Sequence, residues 1–166
     1  MSGTLVFQHA KKLMDAIQCL RDEGHHIASL MIVYSAIDQM AWLSIAGEKS
    51  NSTDFKMWVD RYMLGKNPIG CNSDELWEAR NGLLHMGTAE SAAHLAGKVK
   101  NRIYYTTGSV RCLENHSNNS IFIRIEDILA SFLAGVLWFI TEIEVDAVRL
   151  DVANGKIQRV FDVRIY

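Results

Sequence analysis

The chain has 166 residues, enough for one ordinary domain, and its 49% hydrophobic and 22% charged residues exclude a disordered or low-complexity protein. A net charge of −2 makes no case for a polyanion partner by itself. Cys19, Cys71 and Cys112, odd in number and without a C-x-x-C pair, exclude a disulfide framework or a zinc module and fit a reducing cytoplasm. A single proline favours long helices over a turn-rich β fold.

The N-terminus lacks a basic leader before an apolar core, so no signal peptide is expected. Leu5, Val6, Ala10, Leu13, Met14, Ile17 and Leu20 recur at helical spacing, with Gly24 just beyond. Residues 26–46 are apolar nearly all round, which places that helix at the centre of a bundle. Ser29, Ser35, Asp38, Gln39 and Ser44 interrupt it, and the cleaner run at 128–140 is shorter than the ~20 residues of a membrane span. Both read as core helices of a cytoplasmic protein with no membrane association.

Asn51-Ser52-Thr53 caps a third helix carrying Phe55, Trp58, Val59 and Tyr62, and Gly65 ends it. Asn72, with Glu75 three residues on, forms a capping box, so a fourth helix runs from about Ser73 to His85. A short helix follows between Thr88 and Ala96. Arg102–Thr107 and Ile121–Ile125 are rich in β-formers and flank the turn cluster 115–119, which predicts a small antiparallel hairpin within about residues 100–125. Glu126-Asp127 opens a last long helix through about Leu150. The stretch beyond Asn154-Gly155 alternates weakly and reads as a strand or extended arm. The expected fold is mainly α: one domain over 1–166, an antiparallel bundle of four to five helices with a β-hairpin insertion.

The fourth helix carries the chemistry. Arg80 falls inside its apolar arc, between Leu76 and Leu84, while Asn81 and His85 share the polar edge beside it. On an ideal helix Arg80 and His85 diverge by about 140°. They converge only if the helix loosens near Gly82 or if a second copy supplies one of them. A buried arginine needs a partner, because an unpaired buried charge costs several kcal/mol or more. Asp38, the only acid between Glu23 and Glu48, is the best candidate. Such a pair either fixes helix register or marks a site, and His85 alone is commonly a helix C-terminal residue facing the dipole.

Arginine, then asparagine, then histidine five positions after the arginine, Arg80-Asn81-Gly82-Leu83-Leu84-His85, resembles the Arg-x4–6-His motif of the HEPN superfamily. The wider helical pattern extends the likeness loosely over residues 4–150. The resemblance implies a HEPN-like bundle and a metal-independent ribonuclease of a toxin–antitoxin or phage-defence system. A 2′-hydroxyl would attack the adjacent phosphate, with His85 as general base or acid, Arg80 on the scissile phosphate and Asn81 orienting an oxygen or the histidine. It also implies a homodimer through the motif helix and leaves room for an antitoxin. Gly87 stands where related toxins often carry a tyrosine, so regulation by tyrosine modification is not expected. The competing class is a non-catalytic interaction domain in which Arg80–Asp38 is structural.

Residues 91–125 hold Lys98, Lys100, Arg102, Arg111 and Arg124 against Glu114 alone, a local +4. With Tyr104 and Tyr105 interleaved, Lys98, Lys100, Arg102, Tyr104 and Arg111 are candidates for RNA contact, or else a solvated hairpin edge. His25, His26, His94 and His116 lack convergent partners, so no metal is expected. Without a Gly-rich phosphate loop, a nucleophile elbow or H-E-x-x-H, no cofactor is expected either.

Overall fold

The computed structural model describes residues 4–99, 101–108 and 119–160. α1 (Leu5–Asp22) begins where the Thr4 hydroxyl accepts the Phe7 amide at 3.3 Å, and it buries Val6, Ala10 and Ile17. α2 (His26–Ser44) has buried residues around most of its circumference, as its missing polar face requires. It is the one described helix long and apolar enough to cross a membrane, and it packs against α1, α3 (Ser52–Trp58), α6 (Ile125–Glu144) and α7 (Ala147–Ile157). The expected capping box of Asn72 with Glu75 starts α4 (Ser73–Asn81), and the expected cap at Asn51 is also a capping box, closed by Asp54, at the start of α3. Each of these helices then widens without a break into a π-helical segment, Val59–Leu64 after α3 and Gly82–Met86 after α4. The short helix α5 (Ala92–Leu95) is capped by Ser91.

Four expectations need correction. β1 (Arg102–Thr106) and β2 (Ser120–Arg124) pair in parallel, not as an antiparallel hairpin, with Arg102 opposite Ser120 and Thr106 opposite Arg124. The connection between them is about a dozen residues, long enough to carry the chain back for a parallel pairing. Most of the turn cluster, residues 115–118, lies outside the described residues. The last long helix ends at Glu144 rather than near Leu150. The chain turns by 118° and restarts as α7, whose first turn is held by the Asp146 carboxylate accepting the Arg149 amide at 3.1 Å. Ile157 therefore closes a helix, and the rest of the predicted C-terminal arm, 161–166, lies outside the described residues. The described residues hold seven α-helices instead of four to five, because two are short and the last is split.

The sharp turn into α7 returns Lys156 to the end of α2. Its side chain is buried, and Nζ donates to the Trp42 and Ile45 carbonyls, each at 2.6 Å, satisfying acceptors that the helix end leaves open. Burial pushes the Lys156 ammonium below its ordinary pKa.

The π-helical segment after α3 packs tightly on α6. A Cβ at Gly135 would lie 2.9 Å from Met63 Cγ, 3.2 Å from Trp58 Cη2 and 3.2 Å from the Tyr62 carbonyl carbon. Met63 is flexible, but the Tyr62 backbone is not. Gly135→Ala is therefore expected to destabilise the fold by about 1–3 kcal/mol through overpacking. That corresponds to roughly 2–4 °C in Tm for each kcal/mol, read by thermal unfolding. An unchanged Tm would mean that the two segments separate without cost.

Candidate functional site

α2, α4 and the π-helical segment that continues α4 bring the three motif residues and Asp38 together. Arg80 Nε and Nη2 both donate to one oxygen of Asp38, at 3.0 and 2.8 Å. Nη1 donates to Asn81 Oδ1 at 3.1 Å and to His85 Nε2 at 2.8 Å. The guanidinium carbon sits 5.2 Å from the Trp77 ring centroid, one helical turn back, and Trp77 in turn meets Phe55 edge-on. Asp38 and Arg80 are largely buried, with side chains 28% and 18% exposed, whereas His85 faces solvent. The cluster thus has a fixed inner end and an open outer end.

The convergence of Arg80 and His85 has a local cause. From Gly82 to Met86 the backbone is a π-helix, which closes i→i+5 rather than i→i+4, so a side chain five positions ahead swings back over the first. The Gly87 amide donates to the Gly82 and Leu83 carbonyls, and Gly87 then reverses the chain at a φ of 64°. One chain therefore assembles the pair, and a second copy is not required to explain it.

Gly82 is what allows the wide turn. The loop after Gly87 folds back onto it, with the Thr88 amide donating to the Gly82 carbonyl at 3.1 Å. A Cβ at residue 82 would lie 2.6 Å from the Thr88 carbonyl oxygen and 3.1 Å from that of Glu90. The same loop is tied down on its far side. The Ser91 hydroxyl donates to Glu78 on α4, and Arg102 pairs with Glu90 at 2.7 Å. His94 is buried in this tie: its Nδ1 accepts the Ser91 amide at 3.1 Å, while Nε2 donates to the Asn101 carbonyl at 2.8 Å.

The tautomer of His85 follows from its partner. A guanidinium only donates, so Nε2 is the acceptor and the proton of the neutral ring lies on Nδ1. At the inner end, burial pushes the Asp38 carboxyl above its ordinary pKa, and the hydrogen bonds and charge of Arg80, then His85, only partly oppose this. Folding the carboxylate into this place costs more than its partner returns, as for many buried ion pairs.

The proposed RNA-contacting residues are dispersed. Lys98 is exposed along a groove of about 550 Å³ shared with Lys56, Asp74, Glu75 and Glu78, where acids outnumber bases. Arg102 is spent on Glu90, and Tyr104 stacks on Phe122, its partner across the parallel strands, with centroids 5.6 Å apart. Lys100 and Arg111 lie outside the described residues. No direct bond among the described residues joins Lys98, Arg102 or Tyr104 to the Arg80–His85 cluster. Sequence reasoning missed Trp77 as a support for Arg80, and it missed the Glu78–Ser91 tie. The i, i+3 spacing of Trp77 and Arg80 was the available signal for the first; the second joins residues on different elements.

Gly82→Ala is expected to push the Thr88–Glu90 loop away and relax the π turn toward α-helix. A stability loss of about 1–3 kcal/mol should accompany faster hydrogen exchange at the Gly87 and Thr88 amides. Wild-type stability and protection in this variant would show that the turn does not depend on the missing Cβ. No family model, curated protein or solved structure matches this chain.

Proposed function

We propose that Arg80, Asn81 and His85 bind and cleave an RNA phosphodiester without a metal, in a HEPN-like helical protein of a toxin–antitoxin or phage-defence setting. The observation that carries this reading is the 2.8 Å contact between Arg80 Nη1 and His85 Nε2 at the open end of the cluster. It sets a fixed cation and a basic nitrogen side by side where a phosphate and its neighbouring hydroxyl can reach both.

An arriving phosphate competes for the Arg80 N–H groups and frees Nε2. His85 then takes the proton of the 2′-hydroxyl as the bond from O2′ to phosphorus forms. The bond from phosphorus to O5′ breaks, the 5′ oxygen takes a proton from solvent, and a 2′,3′-cyclic phosphate remains. Arg80, locked by Asp38 and backed by Trp77, holds charge on the phosphoryl oxygens without having to reorient. Asn81 Oδ1 shares Nη1 with His85 and so fixes which way that N–H group points. RNA is the proposed partner, and an antitoxin a further one.

A second reading makes the chain a non-catalytic interaction domain in which Arg80–Asp38 sets helix register. It is favoured by the full engagement of Arg80, whose three nitrogens all have acceptors. The raised carboxyl of Asp38 fits either reading, since both ask the pair for register or orientation rather than stability.

Two measurements separate the readings. RNA degradation in excess chelator should persist in the wild type and fall by about 10²-fold or more in His85→Ala and in Arg80→Ala. Equal activity in wild type and His85→Ala would remove the assigned role. Asp38→Leu combined with Arg80→Met should keep stability within about 1.5 kcal/mol while abolishing cleavage. A large stability loss in that double variant would favour the structural reading.

A further inference from the structure

The outward face of α6 is apolar where a solvent-facing helix normally carries charge. Ala130, Leu133, Ala134, Leu137, Trp138 and Thr141 follow one another at helical spacing along it. Leu133 is 44% exposed, Leu137 49% and Trp138 50%. Charges return only at the ends, with Glu126 and Asp127 before this run and Glu142 and Glu144 after it.

Two unlike features flank the ridge. Toward α1 lies an apolar groove of about 250 Å³, walled by Met14, Ile17, Leu129, Phe132 and Leu133, with Arg21 and Glu126 as its charged members. On the other flank and further along the helix stands the half-exposed Trp138, with the Lys66 ammonium 4.1 Å from its ring centroid and Arg61 in the same groove. Ala130 and Trp138 are about 12 Å apart along the axis, and the small Ala134 lies midway between them.

We propose that this face pairs with a second copy of the chain, Trp138 of each protomer filling the α1–α6 groove of the other about a two-fold axis near Ala134. The hollow and the indole lie diagonally across α6, so the two copies of α6 cross, with their closest approach at Ala134. Charge follows shape. Lys66 lies over the Trp138 ring and has no carboxylate partner among the described residues, and Glu126 lines the α1–α6 groove. The pairing brings each Lys66 to the other copy's Glu126. Another protein would have to reproduce both the hollow and the aromatic–cationic knob, whereas this chain already carries the two, as a self-complementary interface requires. A central tryptophan entering an apolar pocket is also the residue type that dominates interface energy. The surface lies on α6 rather than on the motif helix, so it is independent of the RNA reading.

Sedimentation equilibrium of the full chain over a range of concentrations tests this. The wild type should be a dimer. Trp138→Ala should raise the dissociation constant about tenfold or more, and Leu137→Arg should give a monomer, both with wild-type circular dichroism and Tm. Lys66→Glu and Glu126→Lys should each weaken the dimer and restore it in combination. A wild type that stays monomeric, or a dimer indifferent to Trp138→Ala and Leu137→Arg, overturns the proposal.

Discussion

Five positions separate Arg80 from His85, and an α-helix sends side chains at that spacing apart. The wider turn from Gly82 to Met86 removes the divergence and sets the imidazole against the guanidinium. The surroundings follow from keeping that turn in place. A residue without a Cβ must stand at 82, the chain must reverse at Gly87, and the loop beyond must return to donate to the Gly82 carbonyl. Glu78, Ser91, Glu90 and Arg102 then hold the loop where it lands. A second π-helical segment, after α3, packs on α6 at Gly135. Both wide turns thus sit where another part of the chain comes too close for an ordinary side chain.

The inner half of the cluster trades stability for position. Asp38 interrupts the most apolar helix and is held at a pH-dependent cost, because burial raises its carboxyl further than Arg80 lowers it. The folded chain binds that proton more tightly than the unfolded one. The contribution of Asp38 to stability is therefore present at low pH and is lost as pH rises through the raised value. What the pair provides is orientation: with Nε and Nη2 fixed on Asp38, Nη1 has one direction left, toward Asn81 and His85.

Much of the helical frame was legible in the residues because it rests on local rules. The cap at Asn51, the capping box at Asn72, the all-apolar α2 and the lone Asp38 as partner for Arg80 each follow from spacing or from an isolated polar residue. What escaped depends on distant contacts. The strands have the alternation of a hairpin, yet alternation within a strand does not record the direction of its partner, and the pair is parallel. The break before α7 carries a capping aspartate, Asp146, whose weight against an unbroken apolar pattern is settled by Lys156 reaching the carbonyls of α2. The angle between Arg80 and His85 was legible as a conflict with an ideal helix. Its resolution was not, because the π turn is stabilised by a loop that packs onto it from several residues away.

The most direct test of the cluster is the protonation pattern of the His85 ring, read by long-range 15N–1H correlation on the neutral imidazole. A ring that accepts from Arg80 carries its proton on Nδ1, with Nε2 as the acceptor. That pattern should be present in the wild type and lost in Arg80→Ala. An Nε2–H ring in the wild type, or one indifferent to the loss of Arg80, would contradict the geometry on which the site is built.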